Sequence, residues 1–151
     1  MTSENKNMEH EMPKPNPDLK TLSPLIGTWK VSGETHGEIT YEWMEGGFFI
    51  IQKIELESHG QIIKGIEIIG HEQDFQSEPS KEIKSRYFDN SGNTFSYVYE
   101  RKGDQLTIWF GEKGSPAYCS AKFSEDGNTL SGAWIYPGGG GYTYTASKID
   151  K

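Results

Sequence analysis

The side chains of this sequence best suited to chemistry are eight tyrosines, four histidines and one cysteine, Cys119. His36 and His59 fall beside glycines, where a polar turn residue is ordinary. His10 lies in a polar N-terminal stretch. His71 stands next to Glu72 and near Asp74, a grouping that suits metal binding, proton transfer or a plain ion pair at a rim. Glu67 precedes it by four residues. On one strand face the two are separated by roughly 13 Å, at ~3.3 Å per residue, too far for a direct hydrogen bond. Ser85 and Ser96 lack the Gly-x-Ser-x-Gly context of a strained nucleophile. Cys119 has no histidine near it in sequence and reads as a small buried residue. The glycine run at 138–141 has the composition of a phosphate loop but lacks the Lys-Ser/Thr and the helix that would follow one. No metal site is expected, because one cysteine excludes a cysteine-cluster zinc site.

What remains is a binding chemistry of aromatic rings and hydroxyls, and composition agrees with it. Of 151 residues, 18 are glycine and 13% are aromatic, while all hydrophobic types together make 33%. Few aliphatics with many glycines and aromatics suit short strands and tight turns. The net charge of −7 argues against nucleic acid, which needs a basic face. The longest pure apolar run is Phe48-Phe49-Ile50-Ile51, far short of the ~20 residues of a membrane span. No secretory signal is legible at the start, so a cytoplasmic location is expected, and a lone cysteine fits a reducing compartment.

The elements that must position these groups follow from turn spacing. Residues 1–17 are polar, contain three prolines and read as a disordered tail, leaving 18–151 as one domain. Asp18 is placed to cap a short helix through Ser23, with Leu19, Leu22 and Leu25 on one face and Pro24 limiting it. After Ile26 apolar residues alternate. Ten strands are expected at 27–34, 38–45, 47–57, 61–72, 81–89, 93–101, 104–111, 116–124, 128–136 and 141–149. Glycine marks nearly every turn, beginning with Thr35-His36-Gly37, and Asp126-Gly127 is the strongest hairpin signal. The fold class is therefore all-β: a single up-and-down antiparallel β-barrel of about ten strands with a short N-terminal helix. Closure removes the unpaired edges of so long a meander.

Alternation chooses the inner face. Trp29, Val31, Ile39, Tyr41, Trp43, Phe48, Ile50, Gln52, Phe95, Tyr97, Tyr99, Leu130, Trp134, Tyr142, Tyr144 and Ala146 fall inward. Strand 61–72 is apolar on both faces and declares neither. In 81–89 the Ile83, Ser85, Tyr87 set competes with Lys84, Arg86, Phe88. The candidate ligand-binding residues are Tyr41, Trp43, Gln52, Tyr87, Tyr97, Tyr99 and Tyr144. They suit an apolar lining with a few fixed polar groups.

The stretch Leu25-Ile26-Gly27-Thr28-Trp29, entering the first strand after a leucine-rich turn, resembles the Gly-x-Trp entry of the calycin superfamily, the lipocalins and their relatives. With Glu45-Gly46-Gly47-Phe48-Phe49 and the segment from Asp126 to Trp134, the layout over 16–149 is similar to an uncharacterised bacterial domain-of-unknown-function family with a calycin-like barrel. That resemblance implies a barrel plugged by Trp29, with Lys148 packed over it, and it brings no established activity. Nitrobindins resemble the chain more distantly, through the same start and ten strands. They hold haem on a late histidine, whereas here the last histidine is His71. Haem is therefore not expected, with Tyr142 or Tyr144 the residual iron ligands in principle.

The function these readings favour is a small hydrophobic or aromatic ligand held without catalysis, with no resident cofactor, in a monomer or homodimer. One alternative is an isomerase or hydrolase working through tyrosines with Glu67 or His71. The other is a filled barrel with a structural or interaction role. An open tyrosine-lined cavity separates the first from the last. A carboxyl of raised pKa inside it favours the enzyme.

Overall fold

A computed structural model describes residues 12–149. Residues 1–11 of the expected tail, with His10, lie outside the described residues, as do 150 and 151. The chain opens with a 3-10 helix, η1 (Pro17–Leu25), followed by ten strands. These are β1 (Gly27–Ser32), β2 (Thr35–Trp43), β3 (Phe49–Ser58), β4 (Gln61–Gly70), β5 (Ile83–Asp89), β6 (Thr94–Lys102), β7 (Gln105–Phe110), β8 (Tyr118–Phe123), β9 (Thr129–Ile135) and β10 (Tyr142–Ile149). Each strand pairs antiparallel with its sequence neighbours, and β1 pairs with β10, so the sheet closes into an up-and-down barrel.

Helix η1 differs from the expectation in cap and end. Asn16, not Asp18, is the N-cap, and its side chain accepts from the Asp18 amide at 2.9 Å. The expected tail thus ends before Pro17, which forms the first turn, where its missing N–H has no partner to lose. Leu19, Leu22 and Leu25 are three apart, and at three residues per turn a 3-10 helix stacks them on one line. All three are buried. Pro24 lies inside the helix, and the Ile26 amide closes its end on Ser23 O at 3.0 Å.

The first hairpin also departs from the expectation. The turn falls at Gly33 and Glu34, and Thr35, His36 and Gly37 belong to β2. Gly37 is needed there for close approach. Its φ is +145°, and a Cβ would lie 2.2 Å from Glu55 O across the β2–β3 pair. His36, on the strand rather than in a turn, is exposed and sits 3.9 Å from Glu57. The β3–β4 turn is His59–Gly60, with φ of 51° and 79°, the positive pair of a tight two-residue hairpin.

η1 lies across one end of the barrel. Trp29, 1% exposed, stands at that end and donates from Nε1 to Leu25 O at 2.8 Å. Lys148 Nζ lies 5.0 Å over its ring and donates to Pro24 O at 3.0 Å. Arg101 donates to Thr21 O at 2.9 Å and covers the Phe123 ring. The helix is thereby tied down by its own carbonyls, which a short 3-10 segment cannot satisfy internally. The strand ends opposite η1 form an open mouth.

Candidate functional site

Strand pairing decides which face of β4 looks inward. Residues directly opposite across an antiparallel pair share a face. Gln52 on β3 pairs with Glu67 on β4, which pairs with Tyr87 on β5. Gln52, Glu67 and Tyr87 are all buried. Glu67 is thus inside the barrel, and so is Ser85, while Arg86 and Phe88 face outward.

The interior is open. A cavity of about 380 Å³ runs from Trp29 at the floor to Thr35, Ser58, Asp89, Asn93, Tyr136 and Tyr142 near the mouth. It lies within the range of small-molecule sites, about 300–1,000 Å³. Tyr41, Gln52, Tyr87, Tyr97, Tyr99 and Tyr144 line it together, as alternation expects. Trp43 does not line it and is 37% exposed. The reason is register: β1 runs out at Gly27, opposite Tyr41, so Trp43 extends past its neighbour strand at the closed end. Phe48 also departs from the inward set. It precedes β3 and is 37% exposed.

His71 is not in the cavity either. Its ring Nδ1 is 2.8 Å from Ser80 O, and its Nε2 is 3.4 Å from Asp18 on η1. Its Nε2 is buried without a hydrogen bond, and the ring sits between the β4–β5 link and the helix at the closed end, so the enzyme alternative loses one of its named groups. Glu72, its sequence neighbour, pairs instead with Arg86 at 2.9 Å. Among the described residues no group of three or more His, Cys, Asp or Glu is arranged to hold a metal, and no histidine lines the cavity.

The polar centre of the cavity is a carboxyl held by hydroxyls. Tyr99 donates to Glu67 Oε2 at 2.5 Å. Ser85 Oγ is buried beside the carboxyl, outside the geometry of an ordinary hydrogen bond. Burial pushes the Glu67 pKa above the ordinary carboxylate value, and the Ser85 and Tyr99 hydroxyls only partly oppose this. Gln52 donates to the Tyr41 hydroxyl at 2.7 Å. Burial and the nearby Glu67 both raise the Tyr41, Tyr97 and Tyr99 hydroxyls, so all three stay protonated. Cys119 Sγ lies 3.3 Å from the Tyr144 hydroxyl, and burial pushes its thiol up to about 11. Such a thiol is a packing group, not a nucleophile.

No family model matches the chain, and no curated protein matches it. The site therefore rests on its own geometry.

Aromatic contacts continue toward the mouth. Tyr87 stacks on Phe95 at 5.6 Å, Tyr97 meets Trp134 at 5.8 Å, and Trp134 stacks on Tyr136 at 6.2 Å. At the rim Tyr87 donates to Asp89 Oδ2 at 2.9 Å. Asp89 also accepts from the Ser91 and Asn93 amides and from Asn93 Nδ2. Partial desolvation opposes its charge, but these hydrogen bonds outweigh it and hold its pKa below the usual value. Two residues of the site, Glu67 and Asp89, were not among the sequence candidates for ligand binding. For Glu67 the signal was present: the His59-Gly60 turn fixes the β3–β4 register, and Gln52 then carries Glu67 to the inner face.

Proposed function

We propose that this barrel binds a small molecule with a flat or apolar body, seated between the tyrosine and tryptophan rings, and with one polar end set against the Glu67–Tyr99 pair. The observation that carries the reading is the unfilled volume of about 380 Å³ behind an aromatic wall. A filled structural barrel would have closed it, since interiors pack to crystal-like density. The ligand enters at the mouth, because η1 and Trp29 cover the other end. The free Cys119 fits a reducing, cytoplasmic setting. Among the described residues no helix is long and apolar enough to cross a membrane.

One observation favours a second reading. A buried carboxyl of raised pKa, 2.5 Å from a tyrosine hydroxyl, is the arrangement of a general acid or base. Glu67 would give or take the proton and Tyr99 would steady the carboxyl. The binding reading is the broader of the two, since the enzyme also requires the cavity to be occupied.

Titration with the neutral fluorophore N-phenyl-1-naphthylamine tests the reading. Saturable binding with one site per chain is expected. Tyr97→Phe keeps the ring and removes a cavity hydroxyl, so affinity should fall by roughly 0.5–1.5 kcal/mol, the net value of one neutral hydrogen bond. Unfolding curves of the two proteins should superimpose. Equal affinity in both would remove Tyr97 from the site, and absence of saturable binding would remove the function.

A further inference from the structure

We infer that the ligand is an organic cation, an amine or quaternary ammonium on an aromatic or aliphatic body, with its charge placed between Glu67 and the tyrosine rings. This rests on the binding reading above and narrows it to one chemical class.

The balance of charge on the wall favours a cation. Glu67 and Asp89 line the cavity, and among the described residues no lysine, arginine or histidine does. The cations nearest the floor, Lys148 and Arg101, are engaged by the Pro24 and Thr21 carbonyls of η1 and by the Trp29 and Phe123 rings. A carboxylate ligand would meet two acids and no counter-charge in a low-dielectric space, an unfavourable arrangement. A neutral ligand would leave unexplained a carboxyl buried at the cost of its own desolvation. A cation meets a carboxyl on a wall that holds Tyr41, Tyr97, Tyr99 and Trp134, residue types whose rings attract cations most strongly in desolvated surroundings.

Asp89 has a different part. Its oxygens are already taken by Tyr87, Ser91 and Asn93, so it acts at the mouth as a fixed negative charge and not as a direct ligand. A charged mouth on a chain of net charge −7 draws cations inward and raises their rate of entry.

Proton release distinguishes this site from an ordinary ion pair. The titratable groups facing Glu67 are Tyr41 on β2, Tyr87 on β5, and Tyr97 and Tyr99 on β6, with Asp89 one residue pair beyond, at the rim. The tyrosines stay neutral, so in the empty barrel no counter-charge keeps Glu67 ionised. At a pH below the raised value of the empty site, entry of a permanent cation favours the ionised Glu67 carboxyl, and its proton passes to the buffer. Affinity for a quaternary ammonium should therefore rise with pH, by up to about tenfold per unit, between the ordinary carboxylate value of 4.5 and the raised value of the empty site.

The test uses a matched set on one body: 2-phenylethylammonium, 2-phenylethanol and phenylacetate, with benzyltrimethylammonium for proton counting by calorimetry in two buffers. The ammonium should bind roughly tenfold or more tightly than the alcohol, and phenylacetate should bind most weakly. Glu67→Gln should erase the preference and the proton release while the alcohol still binds. Glu112→Gln, an exposed charge outside the cavity, should change neither. If phenylacetate or the alcohol binds as tightly as the ammonium, the cation assignment is overturned and the cavity reading stands. If none of the set saturates while N-phenyl-1-naphthylamine does, the assignment fails alone. If that fluorophore fails too, the binding reading fails with it.

Discussion

Trp29→Ala should destabilise the protein by about 3–5 kcal/mol, the usual result of truncating a large buried aromatic. At about 2–4 °C per kcal/mol for a chain of this size, Tm should fall by roughly 6–20 °C. Three losses combine at this position. The ring is 1% exposed, with Phe123 6.4 Å away. Its Nε1–H satisfies Leu25 O, and its face holds Lys148 at 5.0 Å. Removing it opens the floor of the cavity toward η1 and leaves a buried carbonyl unpaired. Trp29→Phe separates these terms. It keeps most of the ring and should recover the packing part of the loss, leaving about 1–3 kcal/mol for the orphaned carbonyl. Urea melts of both variants check this. A loss below about 1 kcal/mol for Trp29→Ala would mean that Trp29 does not plug the barrel.

Glu67→Gln should produce the second large effect, and its sign depends on pH. Well below the ordinary carboxylate value of 4.5, Glu67 is protonated in both the folded and the unfolded chain and adds no pH dependence. Above that value the unfolded chain releases the proton while the folded chain keeps it. The group's contribution is thus fully present at low pH and is lost as pH rises toward the raised folded pKa. The slope is about 1.4 kcal/mol per pH unit for one proton. Asp89, Glu100 and Asp126 have lowered values and act in the opposite sense, losing stability as pH falls. The wild-type curve therefore mixes both trends, and the difference from Glu67→Gln isolates the first. The variant should gain steadily on the wild type as pH rises through the window. Parallel stability curves would place Glu67 in water, outside the barrel interior.

Much of this architecture was legible in the sequence, because each local signal pointed the same way. Regular turns bounded ten alternating segments, and all ten are strands. Leu19, Leu22 and Leu25 already carried the three-residue period of a 3-10 helix, although the cap is Asn16 where Asp18 was expected. Six of the seven binding candidates line the cavity because alternation is a reliable guide within a strand. It fails at strand ends. Trp43 and Phe48 keep the inward parity, but Trp43 extends past the end of β1 and Phe48 precedes β3, so the wall no longer encloses them. β4 was opaque because isoleucines occupy both faces, so only its pairing with β3 reveals Glu67. Gly37 misled in the other direction: a glycine that allows two strands to approach looks the same in sequence as one that makes a turn. His71 drew attention through Glu72 and Asp74, whereas its partners, Asp18 and Ser80, are fixed by tertiary contact.

Binding of a small molecule inside this barrel is tested most directly by blocking that space. Leu56 lines the cavity, paired on β2 with Gly37, which has no side chain. Leu56→Trp places a larger ring in the open volume without changing charge. Titrations of wild type and Leu56→Trp with N-phenyl-1-naphthylamine, followed by fluorescence, should give one saturable site in the wild type. In the variant, affinity should be at least about tenfold lower, a change of about 1.4 kcal/mol, while circular dichroism shows the same strand content. Equal affinity in the two proteins would put the probe on the outer surface and contradict the claim.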